Sequence, residues 1–400
     1  MVRITIISFF TFALAVGITA TASKPSTEDS FKEHAESRKN ISRAISSEIK
    51  KNSYPSTAVI DINDEKETYK VEYTLDKKLQ KQANDLLHRY RPDYGAIFMI
   101  NAQTGEILAI ASEHRDNPNG ENLNLKASFP AASVFKVVTA TAAIDGAKVD
   151  PRHRIAFNGG NYTLYKNNVL SDKINRWTKF ITLRDAFARS INTAFGRLTM
   201  LNLNPAVISE YANKFMFNED LGTDFKVEQS QATIPTEKGF ELTQVASGYN
   251  RKNTMSPVHG AMIASAIIND GKMVTPYIVE SVRNDKNELV YSGKSLFNSP
   301  VMSKSSAVKI QEMMEQTVLT GTSRKTFRQM VRDKKFREIE MGGKTGHFSG
   351  MNPRGTTDWF IGYATDGDTK IAIATITVNV KKWTVKSSAL AQMMFKKYYE

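Results

Sequence analysis

The chain has 400 residues, 41% of them hydrophobic and 24% charged, with a formal net charge of +13 and no cysteine. The lack of cysteine excludes a disulfide framework, a thiolate metal site and a cysteine nucleophile. The six histidines show no HExxH-like spacing, so neither a metal nor another cofactor is expected. A basic chain suits polyanions in general, but the charges are spread along the sequence and no nucleic-acid-binding module is recognisable, so nucleic acid is not an expected partner.

Met1-Val2-Arg3 leads into an apolar run, Ile4 to Ile18, and then Thr19-Ala20-Thr21-Ala22-Ser23. A short basic start, an apolar stretch and a small-x-small site predict a secretory signal over residues 1–22, cleaved near Ala22. The alternative is an uncleaved membrane anchor, for which the stretch is a little short, since a span takes about 20 apolar residues. Either way the bulk of the chain is expected to be exported to the periplasm or cell envelope. Residues 23–70 read as a polar stalk or N-terminal extension, helical from about Glu28 to Lys51. Within it Thr57–Ile62, and then Thr68–Tyr73, flank a polar turn, a hairpin signal. Residues 75–90 predict an amphipathic helix with Leu79, Ala83, Leu86 and Leu87 on one face. Gly95–Ile100 and Ile107–Ala111, joined by Asn101–Gly105, predict a second hairpin. The middle, about 130 to 340, is mostly helical in pattern. Strands return from Gly343, through Trp359–Ala364 and Lys370–Val380, before a last helix over about Ser387–Tyr399. Strands at both ends of the sequence around a helical middle imply an α+β fold: one antiparallel sheet with helices on it and an inserted helical subdomain.

Ser-x-x-Lys occurs three times, at Ser47, Ser133 and Ser306. Pro130 predicts a helix start at the second of these; Ser133 then sits in the first turn and Lys136 shares its face. Lys136 is the only charge between Pro130 and Ile144. A lysine in an apolar helix costs free energy unless paired or deprotonated, and desolvation lowers its pKa. Such a lysine is a base able to take the proton of Ser133, which a serine nucleophile requires. On its own the pair reads equally as a helix-start serine beside a snorkelling lysine. Two further motifs follow in order. Ser190-Ile191-Asn192 is the only Ser-x-Asn and comes after the predicted helix Thr182–Arg189; by itself it reads as a cap. Lys344-Thr345-Gly346 is the only Lys-[Ser/Thr]-Gly and follows Gly342-Gly343, which by itself marks a surface turn.

Together the three motifs resemble those of the penicillin-binding transpeptidase family and its β-lactamase relatives. The likeness extends to Tyr73-Thr74-Leu75-Asp76 with Leu79-Gln80, to Thr104–Ala109, and to Trp359-Phe360-Ile361-Gly362-Tyr363. It covers about residues 72–400, which sets the expected transpeptidase domain at 71–400. No glycosyltransferase domain is seen, so a small monofunctional member is expected. The resemblance implies a five-stranded antiparallel sheet flanked by helices beside an all-helical subdomain, with the site between them. It implies Ser133 as the acylated nucleophile, Lys136 as its base, Ser190 as a proton relay and Asn192 as a holder of the substrate amide. Lys344 supplies positive potential and Thr345, followed by Gly346, helps bind the terminal carboxylate. The resemblance also implies that the backbone N–H groups of Ser133 and His347 form the oxyanion hole, where one donor is worth about 2.7–4 kcal/mol in other serine enzymes. His347 departs from the long, anchored transpeptidases, which usually carry Thr there; the small carboxypeptidases often carry His, a residue that titrates near neutral pH when unperturbed.

The expected activity is a D,D-transpeptidase acting on peptidoglycan stem peptides, with β-lactams as inhibitors. The alternatives are a D,D-carboxypeptidase or endopeptidase with water as acceptor and, with less support, a serine β-lactamase, for which neither a dedicated water-activating carboxylate nor a Tyr-Gly-Asn middle motif is found. Outside enzymes, the chain reads as a β-lactam sensor or an inactive wall-binding scaffold. Acceptor peptide, signal cleavage, the role of residues 23–70 and oligomeric state are left open by the sequence.

Overall fold

The computed structural model describes residues 27–50, 53–62, 65–351 and 353–400; the expected signal at 1–22 lies outside them. By contacts the chain divides into Met1–Glu36 and Ser37–Glu400. Of the first unit only the start of helix α1 (Thr27–Lys50) is described. All that follows concerns the second.

The segment expected as a polar stalk is packed rather than solvated along much of its length. Ile41, Ile45 and Ile49, spaced by four on α1, are fully buried in the main core, each stabilising the fold by about 1.5–3 kcal/mol on full burial. The Arg38 guanidinium donates to the Lys294 carbonyl at 2.9 Å and lies over the Tyr277 ring. Strands β1 (Thr57–Ile62) and β2 (Glu65–Tyr73) form the predicted hairpin. The boundary expected between residues 70 and 71 therefore falls inside β2.

Helix α2 (Lys77–Tyr90) starts where Asp76 accepts from the N–H groups of Lys78 and Leu79, both at 2.8 Å, and buries Leu79, Ala83, Leu86 and Leu87. This satisfies two of the first-turn donors that a helix leaves open. The second hairpin follows as β3 (Tyr94–Asn101) and β4 (Ile107–His114). The middle of the chain carries α3 (Lys136–Thr141), α4 (Leu183–Ala188), α5 (Asn192–Asn202) and α6 (Pro257–Ile268). It is not wholly helical. Arg154–Phe157 pairs with Lys179–Thr182, and β5 (Val279–Arg283) and β6 (Leu289–Ser292) extend the first hairpin into a four-stranded sheet of order β1-β2-β5-β6. Helix α7 (Lys304–Leu319) leads on to β7 (Glu340–Met351), β8 (Arg354–Thr365) and β9 (Lys370–Asn379), and α8 (Ser387–Tyr399) closes the chain.

The main sheet has five antiparallel strands in the order β7-β8-β9-β3-β4, as expected. Side chains alternate across it with the period of two that a pleated strand imposes. Ile97 and Met99 of β3 face a layer containing Leu86 of α2 and Leu390 and Phe395 of α8. Ala96, Phe98 and Ile100 face the other layer, with Ala264 of α6. Among the described residues no helix is long and apolar enough to cross a membrane.

Candidate active site

The residues just before Ser133 are anchored by a strand pairing and by an indole. Phe129–Pro130 pairs with Thr254–Met255, and the Trp359 indole donates to the Pro130 carbonyl at 2.9 Å. The expected helix start at Pro130 is thus displaced. Residues Ala132–Phe135 make one 3₁₀ turn and the α-helix begins at Lys136. Ala132 takes φ +48°, a left-handed conformation that costs an L-residue about 1–2 kcal/mol. Gly248, itself at φ +66°, is what admits this turn: a Cβ there would stand 1.8 Å from the Ala132 carbonyl oxygen.

Lys136 is fully buried on the face predicted for it. Its Nζ lies 2.8 Å from Ser133 Oγ and 2.6 Å from Asn192 Oδ1, and it also donates to the Ser247 carbonyl oxygen. The Asn192 amide is oriented by its nitrogen, which donates to the Tyr162 carbonyl at 2.6 Å. Two of the three neighbours of Nζ can therefore only accept. A neutral amine has two N–H donors and one lone pair. With both donors spent on Asn192 and Ser247, the lone pair faces the Ser133 hydroxyl. Burial, and secondarily the charge of Lys344, hold Lys136 well below the usual lysine range, which favours that neutral form.

Ser190 does not cap a helix. It occupies a left-handed turn at φ +56° between α4 and α5 and accepts from Lys344 Nζ at 2.9 Å. Lys344 also donates to the Thr345 carbonyl at 2.9 Å; burial pulls its pKa down to about 7. Nor is the glycine pair before it a turn. Both residues lie within β7, and a Cβ on Gly342 would meet Tyr363 Oη at 2.3 Å, one on Gly343 the Phe360 ring at 2.2 Å. Glycine lets the strand lie against these rings. Gly346 runs close past Val134 and Trp359, which brings β7 alongside the Ser133 turn.

Ser133, Ser190, Asn192, Thr345 and His347 line one cleft of about 750 Å³, together with Tyr162, Thr163, Tyr249 and Thr322. Lys136 and Lys344 lie buried behind its wall. Of the other Ser-x-x-Lys serines, Ser306 sits in the first turn of α7, where its N–H is bonded to the capping Ser303, and Ser47 lies on α1. His347 stacks on Trp383, with ring centroids 5.1 Å apart and planes 18° from parallel. Burial, reinforced by the Lys386 ammonium, pushes its pKa below the ordinary histidine value, so it is neutral at pH 7 rather than poised to titrate there.

Several residues of this site escape motif reading. The Ser247 carbonyl and Gly248 stand in a Ser-Gly turn; the carbonyl's partner, Lys136, lies 111 positions earlier, and the dipeptide marks a turn but not what it touches. Thr322 Oγ1 lies 2.6 Å from Thr345 Oγ1, and its backbone N–H donates to Ala188 at 3.1 Å, joining the end of α4 to β7. Among the described residues no group of three or more His, Asp or Glu side chains is placed to hold a metal.

A serine beside a desolvated lysine, a second serine beside a second buried lysine, and hydroxyls at a cleft mouth make an arrangement chemically suited to serine acyl transfer. A family model described as penicillin binding protein transpeptidase domain matches residues 95–400, and the chain belongs to that family. Similar proteins include Stage V sporulation protein D of Bacillus subtilis, 23% identical over 72% of this chain and 45% of the relative. Another is peptidoglycan D,D-transpeptidase PbpA of Mycobacterium tuberculosis, 23% identical over 77% of this chain and 67% of the relative. The chain thus spans less than half the length of the first relative. Among solved structures, the D,D-transpeptidase domain of a peptidoglycan glycosyltransferase from Eggerthella lenta matches with a TM-score of 0.67 at 24% identity, covering 82% of each chain. Penicillin-binding protein A of M. tuberculosis, in an imipenem acyl-enzyme complex, also gives 0.67, at 19% identity over 82% of this chain and 79% of that one.

Proposed function

We propose that the protein is a penicillin-binding D,D-transpeptidase of the cell envelope, exported by its N-terminal signal and acting on peptidoglycan stem peptides through an acyl-enzyme at Ser133. The observation that carries this is the neighbourhood of Lys136 Nζ, two obligate acceptors and one hydroxyl, which leaves a lone pair for the serine proton. The Ser133 oxygen attacks the penultimate D-Ala carbonyl as its proton passes to Lys136. The backbone N–H groups of Ser133 and His347 receive the developing oxyanion. The C–N bond breaks and the departing D-Ala amine takes a proton through Ser190. Because Ser190 Oγ accepts from Lys344, its own proton is free to point into the cleft. Thr345 at the cleft wall helps hold the terminal carboxylate, and Lys344, buried behind it, supplies the positive potential that attracts it. Asn192 still has one lone pair and one N–H beyond its present bonds, enough to hold a substrate amide. An acceptor amine from a neighbouring stem then attacks the ester and returns Ser133 to its free form. PbpA bears the transpeptidase name, and penicillin-binding protein A forms an acyl-enzyme with penicillin G; both support the same reading here.

A second reading, with water as acceptor, rests on His347, whose uncharged ring faces the cleft. Mass spectrometry after penicillin exposure tests the shared first step: the adduct is expected on the peptide containing Ser133 and is expected to persist. Its absence, or an adduct on Ser47 or Ser306, removes the proposal. Product analysis on a stem peptide with and without added acceptor amine separates the two readings; hydrolysis alone, at every amine concentration, leaves only the carboxypeptidase.

A further inference from the structure

Between Arg152 and Ile181 the chain makes an excursion that the acyl-transfer chemistry does not use. The segment holds Arg152, Arg154, Lys166, Lys173, Arg176 and Lys179 against a single acid, Asp172. That acid is paired with Arg197 at 2.5 Å. All but one of its Phe, Tyr and Trp side chains are turned outward: Trp177 is 69% exposed, and Tyr162, Tyr165 and Phe180 are likewise open to solvent, beside Ile174 at 70%, while Phe157 is buried. A large apolar ring in water is disfavoured, and soluble proteins seldom collect several without an interaction to serve.

The rings are presented by built structure. Trp177 sits in a turn whose N–H donates to Asn175 Oδ1 at 2.8 Å. The turn is tied back by Thr178 Oγ1 donating to Asn158 at 2.8 Å and Asn158 Nδ2 donating to the Lys173 carbonyl at 2.9 Å. Arg176 lies 4.6 Å from the Trp177 ring centre and Arg154 5.4 Å from that of Phe180. Each ring thus carries a guanidinium on one face. The Arg154 pairing follows from register: Phe180 stands opposite Ala156, so Arg154 two residues away shares its outward face, while Ile155 and Phe157 point into the core. The same excursion enters the cleft. Tyr162 and Thr163 line it, and the Tyr162 carbonyl orients Asn192.

We propose that this excursion is a docking surface for the glycan strand of the peptidoglycan polymer, gripping it outside the cleft that takes the stem peptide. The inference rests on the D,D-transpeptidase reading, because that reading supplies the polymer. Pyranose rings offer flat faces of C–H groups that pack on aromatic rings by dispersion. Stem peptides along the strand bear free carboxylates, which the guanidinium and ammonium groups attract. A strand leaving the cleft past Tyr162 runs onto this basic, aromatic ground.

The test measures retention of the full chain on insoluble, protein-free peptidoglycan, with the cleft either empty or blocked by penicillin, and in parallel the rate of penicillin acylation. Wild type is expected to be retained in both states. Trp177→Ala with Phe180→Ala is expected to weaken retention about tenfold at all salt concentrations. Arg154→Gln with Lys173→Gln and Arg176→Gln is expected to weaken it about tenfold at low salt and to flatten its salt dependence. Acylation by penicillin, which occupies the cleft, stays at the wild-type rate in both, because none of the residues lining the cleft is changed. Should the aromatic variant misfold, the charge variant decides. Unchanged retention in the folded variants overturns the proposal, as does a wild-type chain that fails to bind protein-free peptidoglycan, the result expected if the patch instead serves a protein partner. Failure of the acylation reading shows separately, as a missing penicillin adduct with retention intact.

Discussion

In the proposed reaction Ser133 attacks only once the amine behind it has lost its proton, and that sets the expected pH dependence. Lys136 is held well below its ordinary value by burial and then by Lys344. As pH falls through its pKa it becomes an ammonium, the lone pair disappears, and acylation falls. Lys344 acts in the opposite sense. Its charge attracts the substrate carboxylate, and with a pKa of about 7 that charge is lost as pH rises past neutrality. The second-order acylation constant, which reports the free enzyme, is expected to decline on both sides, with the alkaline limb near pH 7. A β-lactam whose carboxylate is esterified should lack the alkaline limb; finding it undiminished there removes Lys344 from carboxylate binding. Thr322 belongs to the same scale. Thr322→Val deletes the hydroxyl that fixes Thr345, and a lost hydrogen bond of about 0.5–1.5 kcal/mol predicts up to a tenfold rise in the Kd of the pre-acylation complex. The acylation rate at saturation stays as it was, and stopped-flow kinetics separate the two constants. That Ser133, both lysines, Ser190 and Asn192 gather at one place was legible in the sequence because each sits in a short motif with its own chemistry. Thr322 was not, because a hydroxyl acting across 23 positions leaves no local pattern.

At the scale of elements, side-chain periodicity and turn chemistry carried the reading. The α2 face, the β3–β4 hairpin and the last helix stand where apolar spacing put them, since each repeats a single period over enough residues to be heard. What was missed lies where short elements depend on distant partners. β5 and β6 pair with β2 and with each other, and their few residues do not outweigh the helical run before them. On α1 the isoleucines at i, i+4 and i+8 were in plain view, but the polar residues between them masked the stripe. The 3₁₀ turn at Ser133 is likewise a tertiary product, made possible by Gly248. Gly248→Ala forces a Cβ into the Ala132 carbonyl, a backbone group that cannot swing aside as a flexible side chain could. Loss of fluorescent-penicillin labelling is expected even if the fold survives by circular dichroism. Labelling at the wild-type rate means the turn is not held in this way.

The whole molecule is organised around a sheet that neither end of the chain can build alone. The sequence conveyed this from the strands at its two extremes, but it set the beginning of the folded body too late. A chain starting at residue 71 keeps the matched domain yet loses the three buried isoleucines of α1, all of β1 and the part of β2 that pairs with it, leaving only Val71–Tyr73 beside β5. It is expected to lose its cooperative thermal transition or to aggregate, whereas the chain starting at residue 23 melts normally; equal melting of the two rejects this account of residues 37–70. The strand order has a further consequence, for biogenesis. β3 pairs with β9, Asn101 opposite Ile371, so the sheet cannot close until nearly all of the polypeptide is available, and contacts so remote in sequence form slowly. Lys344 and Thr345 arrive on the same late strands. On the proposed mechanism Ser133 is synthesised early and its site completed last, so a nascent chain is expected to resist acylation until it is whole.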